Sequence, residues 1–389
     1  MSAQQLNVRG FVDAGVVFYP QRTPHDDVRV VADAIARVEP SIQMWRGLSI
    51  AGSVEARTDT YQQGGAGVRY WDRTLRRPAL AVRALAATYV KGPLSLEVGK
   101  QFVRWGQSDI ISPTDYFTAR DYLLTAESEA LAITAMRVTI GGANDSIEMV
   151  YAPRMTPSRT PLIDQRWIGN QAPTGLALEN GETRYAGAPL IGLRYRRTGR
   201  IEYSLSVYRG PHHLPRLHPQ FKPTEAAVSV GRTYPHVRGF GGDLVMTLPG
   251  VTLKAESAWL QARTHDADDY GLWVVQGERQ QREWLLLAGY VGEWVSERRG
   301  LLRFAADRGL ARAVIGRISR EFDDRRSLVL EGVLRQNADG VYVKSEYSQP
   351  LNDHWRITLR VLVLGGEDAD FLGQYRRNSL AGARARYSF

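Results

Sequence analysis

The chain of 389 residues has no cysteine. That excludes disulfide staples, thiolate metal sites and haem carried on a C-x-x-C-H motif within it. No run approaches the roughly 18 apolar residues of a membrane helix. There is also no tract of clustered Lys and Arg. A net charge of +9 and a pI near 9.7 would suit a nucleic-acid-binding protein. The basic residues, however, are mostly Arg, scattered singly through alternating segments, so no nucleic-acid partner is expected. The opening "MSAQQLNVRG" lacks the basic, apolar and cleavage regions of an export signal. Either the protein is cytoplasmic or a signal peptide has been removed and Met1 is an expression start. "GGAGVRY" near 64 lies in a polar segment, not between a strand and a helix, and so is no phosphate-binding loop.

What is present is alternation. Hydrophobic residues make up 43%, glycines number 37 and aromatics reach 10%, which suits strands and turns better than helices. "VADAIARVEPSIQM" places Ala32, Ala34, Ala36, Val38, Pro40, Ile42 and Met44 on one face. Asp33, Arg37, Glu39, Ser41 and Gln43 fall on the other. After the turn "WRG", "LSIAGSVEAR" repeats the pattern with Leu48, Ile50, Val54 and Ala56 against Ser49, Ser53, Glu55 and Arg57. It recurs in "LSLEVGKQ", "IEYSLSVY", "VTLKAESAW" with Lys254 and Glu256, "LVLEGVLR" with Glu331 and Arg335, and "WRITLRVLV" with Arg356, Thr358 and Arg360.

A soluble β-sandwich also alternates. Three features argue against it. The apolar faces run to five or seven positions, where a sandwich strand averages about five or six residues in all. Trp and Tyr stand near strand ends, as at Trp45, Tyr151, Tyr195, Trp294, Tyr347, Trp355 and Tyr387, where the two interfaces of a membrane select amphipathic rings. Short connections near 45, 91, 141, 197, 248, 322 and 349 alternate with long ones near 60–78, 105–129, 153–183, 209–236, 262–281 and 365–377. This is the plan of an all-β, up-and-down antiparallel barrel crossing the outer membrane, with short periplasmic turns and long outer loops. The count is about 18 strands, within 16 to 20, its weakest member being "LLRFAAD" at 301–307. An even count returns both chain ends to the periplasmic side and pairs the last strand with the first.

The closing segment "NSLAGARARYSF" sets Ala381, Ala383, Ala385, Tyr387 and Phe389 on one face. In this it resembles the mature form of a Gram-negative outer-membrane β-barrel protein, whose last strand ends in Phe with apolar or aromatic residues at alternate positions before it. The resemblance implies a single barrel domain over 1–389. It also implies that Tyr387 and Phe389 belong to a signal read by the barrel-assembly machinery. A barrel of this size leaves a water-filled lumen. By parity the closing strand turns Arg384 and Arg386 inward, its predecessor Arg356 and Arg360, and the first strand Arg9 and Asp13. Together they form a basic stripe, and Arg194 and Arg196 form a second group. The alternative is that these charges are solvated or paired with Glu202, Glu331 or Glu346. "RWGQSDIISPTDYFTARDYLLTAESEA" after the fifth strand is too apolar for a solvated loop. It is similar to the loop of porins that folds inward as a constriction, which points to 105–129 and to Asp109, Asp115, Tyr116, Arg120 and Asp121. Arg104 and Arg120 depart from the porin division of acids on the loop and bases on the wall. A compact external cap packed by its own side chains is the other reading of this segment.

Catalytic constellations are poor. All seven histidines, at 25, 212, 213, 218, 236, 265 and 354, fall in expected loops or turns. "GPHHLPRLHPQ" could ligate a metal from one loop but lacks acids and fixed spacing. Barrel enzymes need a His beside Ser or Asp at a strand rim, and none is pinned down. Neither catalysis, a metal nor a cofactor is therefore expected. Two functions follow. One is a porin-like channel for passive diffusion of small polar, anion-favouring solutes. The other is a scaffold that houses or docks a redox protein, lipoprotein or secretion component in its lumen or at its periplasmic face. Both make the lipid bilayer a partner.

Overall fold

A computed structural model of the chain describes residues 5–24, 26–169, 175–264, 267–297, 306–323, 326–336 and 340–389. Eighteen antiparallel strands form one barrel. The first six are β1 Gln5–Phe18, β2 Val30–Trp45, β3 Leu48–Asp59, β4 Arg77–Lys91, β5 Leu94–Gln101 and β6 Ile133–Gly141. Then come β7 Asp145–Ala152, β8 Leu190–Arg197, β9 Ile201–Pro211, β10 His236–Leu248, β11 Val251–Ala262 and β12 Asp269–Gln281. The last are β13 Trp284–Glu297, β14 Ala313–Glu321, β15 Ser327–Arg335, β16 Gly340–Pro350, β17 Trp355–Gly366 and β18 Leu380–Ser388. Each pairs with the next, and β18 closes on β1 from Phe11↔Ser388 to Phe18↔Ala381, leaving no edge.

The period of 2 decides which way each side chain points. Leu6, Val8, Val12 and Val16 of β1 and Leu359, Val361 and Val363 of β17 are exposed on the outside, whereas Asp13 is buried within. Leu6 at 64% and Leu205 at 63% would be costly in water. In a bilayer they meet acyl chains. Exposed rings mark both rims, with Trp45, Trp284 and Trp355 at the short-turn end and Tyr151 and Trp294 at the other. A closed barrel with an apolar outside and two aromatic belts is a transmembrane barrel of the bacterial outer membrane.

The expected connection at 262–281 is shorter. Residues 269–281 form β12, and only 263–268 connect it to β11. Its lumen-side Leu272 and Val274 are apolar because they pack under inward-folded loops, so the segment shows little alternation. The strand count nonetheless stands at 18. "LLRFAAD" lies largely outside the described residues, and Ala306 and Asp307 are in a turn. Beyond the barrel, Ala177–Arg184, Arg216–Lys222 and Ala227–Thr233 form a three-stranded sheet, and Gly64–Arg69 runs parallel to β4.

The seam between β1 and β18 is held from both faces. Phe389 and Gly10 exchange backbone hydrogen bonds at 2.9 and 3.0 Å. A Cβ on Gly10 would lie 2.6 Å from the Phe389 ring and 2.6 Å from the Arg37 carbonyl, so the ring lies where only glycine leaves room. On the lumen side the buried Asp13 carboxylate accepts from Arg384 and Arg386, and Arg384 also reaches Asp33 at 2.7 Å. Gly10→Val is expected to cost about 1 to 3 kcal/mol through overpacking. It should lower the fraction of chain that migrates as a folded, heat-modifiable barrel on a gel, with Ala14→Val, on the same outer face, unaffected.

Candidate functional site: the lumen and its inward loop

The connection between β5 and β6 spans 102–132, slightly more than the expected 105–129, and folds into the lumen. Its rings are seated against a wall stripped of side chains. Trp105 and Phe117 pack where a Cβ on Gly192 would stand, and Tyr116 lies 2.7 Å from the Cβ position of Gly239. Gly241, on the same strand face, faces Tyr116 and Thr114. Trp105, Tyr116, Phe117 and Tyr208 form a ring cluster with centroids 5.0 to 6.1 Å apart. The Trp105 indole N–H donates to Glu148 on β7.

The loop's backbone is held by one carboxylate. Glu256 on β11 is buried, and its Oε2 accepts the N–H groups of Gln107 and Ser108 at 3.0 Å each. Its Oε1 accepts the Thr114 N–H and the hydroxyls of Ser112 and Thr114, all at 2.8 Å. A turn whose amides converge on one point needs an anion there, and the strand supplies it. Asp115 tightens the same turn by accepting the Trp105 and Gly106 N–H groups, although burial pushes its carboxyl pKa up.

Charged contacts then tie the loop to three sectors of wall. Asp109 meets Lys254 of β11 at 2.9 Å and the Gln276 amide of β12. Glu127 meets Arg360 of β17. Glu129 meets Arg57 of β3 and Arg83 of β4, each at 3.1 Å. Asp121 does not face the open lumen. It is buried between Arg77, at 2.9 and 3.0 Å, and Arg159, at 3.0 Å. Burial alone would raise its pKa, but the two guanidiniums hold it well below the usual carboxylate range. Burial likewise opposes ionisation of Glu129, and Arg57 and Arg83 draw its pKa down to about 2.

The arginines read from parity lie on the lumen face, but not as an open basic stripe. Arg384 and Arg386 are matched by Asp13 and Asp33, Arg360 by Glu127, and Arg194 by Asp243 at 3.4 Å. Arg196 meets Glu202 at 3.0 Å, and Arg9, largely exposed at the periplasmic rim, meets Glu39 at 3.1 Å. Glu331 and Glu346 pair with Arg317 and Lys344 rather than with these arginines. Arg356 donates to Ser348 at 3.0 Å and stands directly opposite Arg386 in the β17 to β18 ladder. The physical reason is that a lumen narrowed by protein loses water, and a charge in it needs a counter-charge.

Above the loop, Arg166 draws three outer connections together. It donates to the carbonyls of Gln21 and Val28 at 2.6 Å each, to the Arg377 carbonyl at 3.2 Å and to Asn378 Oδ1 at 3.1 Å. Its guanidinium lies 3.7 Å over the Tyr19 ring. Between this roof and the loop is a cavity of about 410 Å³. Asp109, Arg120 and Glu127 line it from the loop, Arg317, Glu331, Tyr342 and Lys344 from the wall, and Trp167, Phe371 and Tyr375 from the roof. His212 and His213 also reach it, their rings stacked 4.8 Å apart. The Ser158 and His213 side chains are hydrogen-bonded at 2.8 Å, with Ser158 buried and His213 half-buried between loops that also share the Ser158 N–H to His213 carbonyl bond, and desolvation beside His212 pushes the His213 pKa down to about 3. Their bond therefore serves to join two loops. His236 begins β10 and His218 lies in the strand Arg216–Lys222 instead of in loops or turns, and His25 and His265 lie outside the described residues.

Alternation placed Glu256 on the lumen face but carried no sign that a loop 142 to 149 residues earlier would converge on it. Gly192, Gly239 and Gly241 on one wall, recurring at lumen parity, were the legible trace of a seat for large rings. Arg166 left no local trace.

No protein-family model and no curated protein matches the chain. Among solved structures it is similar to a loop-deletion mutant of OmpT, an outer membrane protein of Vibrio cholerae, at 12% identity over 100% of both chains with a TM-score of 0.48. It is also similar to a mutant of the Rh. blastica porin, at 10% identity over 99% of this chain and 100% of that one, with a TM-score of 0.45. The likeness is loose, and the fold of this chain stands on its own strand pairing.

Replacing Glu256 by Ala removes an acceptor from five donors, each hydrogen bond to a charged group being worth about 1.5 to 3 kcal/mol, non-additively. Limited proteolysis of the folded barrel is expected to cut the variant within 105–115 and spare the wild type, with Glu256→Gln intermediate. Acid should act in the same direction. Glu129, with its pKa depressed from 4.5 to about 2, stabilises the docked loop above pH 4.5 and loses that contribution as pH falls through about 2. An acid-active protease should therefore gain access to the loop as pH is lowered through that window.

Proposed function

We propose that the protein is a porin-like diffusion channel for small polar solutes with a preference for anions, its passage set by the inward loop 102–132. One observation carries this reading. The chain fills its own lumen with a loop bound through Glu256 to the wall, leaving a charged and aromatic cavity of about 410 Å³. A loop so placed narrows a water-filled barrel without sealing it by a separate protein. This favours the channel over a scaffold whose lumen a partner occupies. The anion preference arises at the periplasmic mouth, where Arg356 and Arg386 stand side by side on the lumen face, with Arg386 shared between Asp13 and the Phe11 ring. The reading gives the chain no catalytic role and needs no cofactor. Tyr387 and Phe389, outward at the seam, are left for the assembly machinery.

The test is the purified chain alone in a planar bilayer under a salt gradient. Stable openings with a reversal potential on the anion side are expected. Arg356→Gln together with Arg386→Gln leaves Asp13 paired with Arg384. At roughly 1 kcal/mol for the two charges together in a watery, salt-screened mouth, it should lower the anion-to-cation permeability ratio about fivefold. A folded barrel that never opens would instead support the partner-docking scaffold.

A further inference from the structure

We propose that the outer surface of β9 to β11, at the long-loop rim, binds the phosphorylated headgroup of an outer-leaflet lipid through Arg209, Arg238 and Arg263. Arg209 and Arg238 are directly opposed in the β9 to β10 ladder. Alternation puts both outside. Val207 and Phe240, the next outward pair, are exposed to the bilayer, while Tyr208 and Val237 beside the arginines are buried inward. Arg263 follows on the same face. Its N–H donates to the His236 carbonyl at 2.8 Å, carrying the β10 to β11 pairing one step past Val237↔Ala262.

Like charges directly across a ladder, with Cβ atoms about 5 Å apart, destabilise a sheet. Among the described residues none of the three guanidiniums has a hydrogen-bond or ion-pair partner. At the opposite rim Arg279 stands singly opposite Leu286, and two other outward arginines have protein partners. Arg197 lies 3.8 Å from Asp145, and Arg320 lies 3.8 Å from Glu283 and 4.9 Å over the Trp284 ring. A repulsive pair kept without a counter-charge on one rim alone is a site whose anion comes from outside the chain.

The position says which anion. One step toward the membrane centre, Phe240 stands opposite Trp259, whose ring is 5.1 Å from that of Trp294. The arginines therefore crown an aromatic patch at the boundary between acyl chains and headgroups. A lipid-borne phosphate engages both at once, whereas free phosphate has only the cations. The planar fork of each guanidinium suits two phosphate oxygens.

Native mass spectrometry of the full chain in detergent tests this with three probes: a diphosphorylated acylated glucosamine disaccharide, the same lipid dephosphorylated, and inorganic phosphate. The wild type should retain the phosphorylated lipid. Arg209→Gln with Arg238→Gln should retain about tenfold less, two charge-assisted contacts being lost. The dephosphorylated lipid should behave like the double variant, and inorganic phosphate at equal concentration should not displace the lipid. Removing the repulsion should also raise the melting temperature of the lipid-free variant, which shows independently that it folds. Equal retention by wild type and variant, or of both lipids, overturns the proposal. Displacement by inorganic phosphate overturns its lipid part.

Discussion

Within hydrocarbon an unpaired backbone N–H or C=O costs several kcal/mol, so a chain that crosses a membrane with strands must pair every one of them. Everything else in this structure follows from that requirement. It forces β18 back onto β1, and closure divides every strand into a lipid face and a lumen face with a period of 2. Gly10 and Phe389 exchange hydrogen bonds at the seam, and Asp13 anchors it from within by holding Arg384 and Arg386. The same seam thus carries a lipid-facing ring on one side and ionic contacts on the other.

Closure creates a lumen, and a lumen must be either watered or filled. This chain does both by placing a carboxylate, Glu256, where five donors of one turn can converge. Glycines on β8 and β10 make room for the rings that follow. The charges that remain are matched nearly one to one across the narrowed space, since an unpaired charge there would be poorly solvated. What remains is a polar and aromatic cavity and, at the periplasmic mouth, two adjacent arginines.

The outer face obeys different rules. Charges there lie at the rims, where they meet headgroups and water; at the periplasmic rim Arg197 and Arg320 have protein partners, whereas among the described residues the opposed Arg209 and Arg238, and Arg263 beside them, have none. The difference between the rims mirrors the two chemically distinct leaflets that the barrel joins.

The amino-acid sequence by itself determined the barrel, a strand number of about 18, the inward parity of Arg194, Arg356, Arg360 and Arg384, and a long apolar loop after the fifth strand. These follow from local alternation and turn spacing, which depend on neighbours along the chain. It misread β12, whose Leu272 and Val274 are apolar on the lumen side because loops from elsewhere cover them. Only the tertiary structure decided which carboxylate each arginine meets, that Asp121 is buried between Arg77 and Arg159, and that Glu256 and Arg166 hold distant loops. Most of those partners are distant in the chain, from 38 residues for Asp121 and Arg159 to 373 for Asp13 and Arg386. Period-2 patterning says which face a side chain occupies and nothing about what arrives from across the lumen.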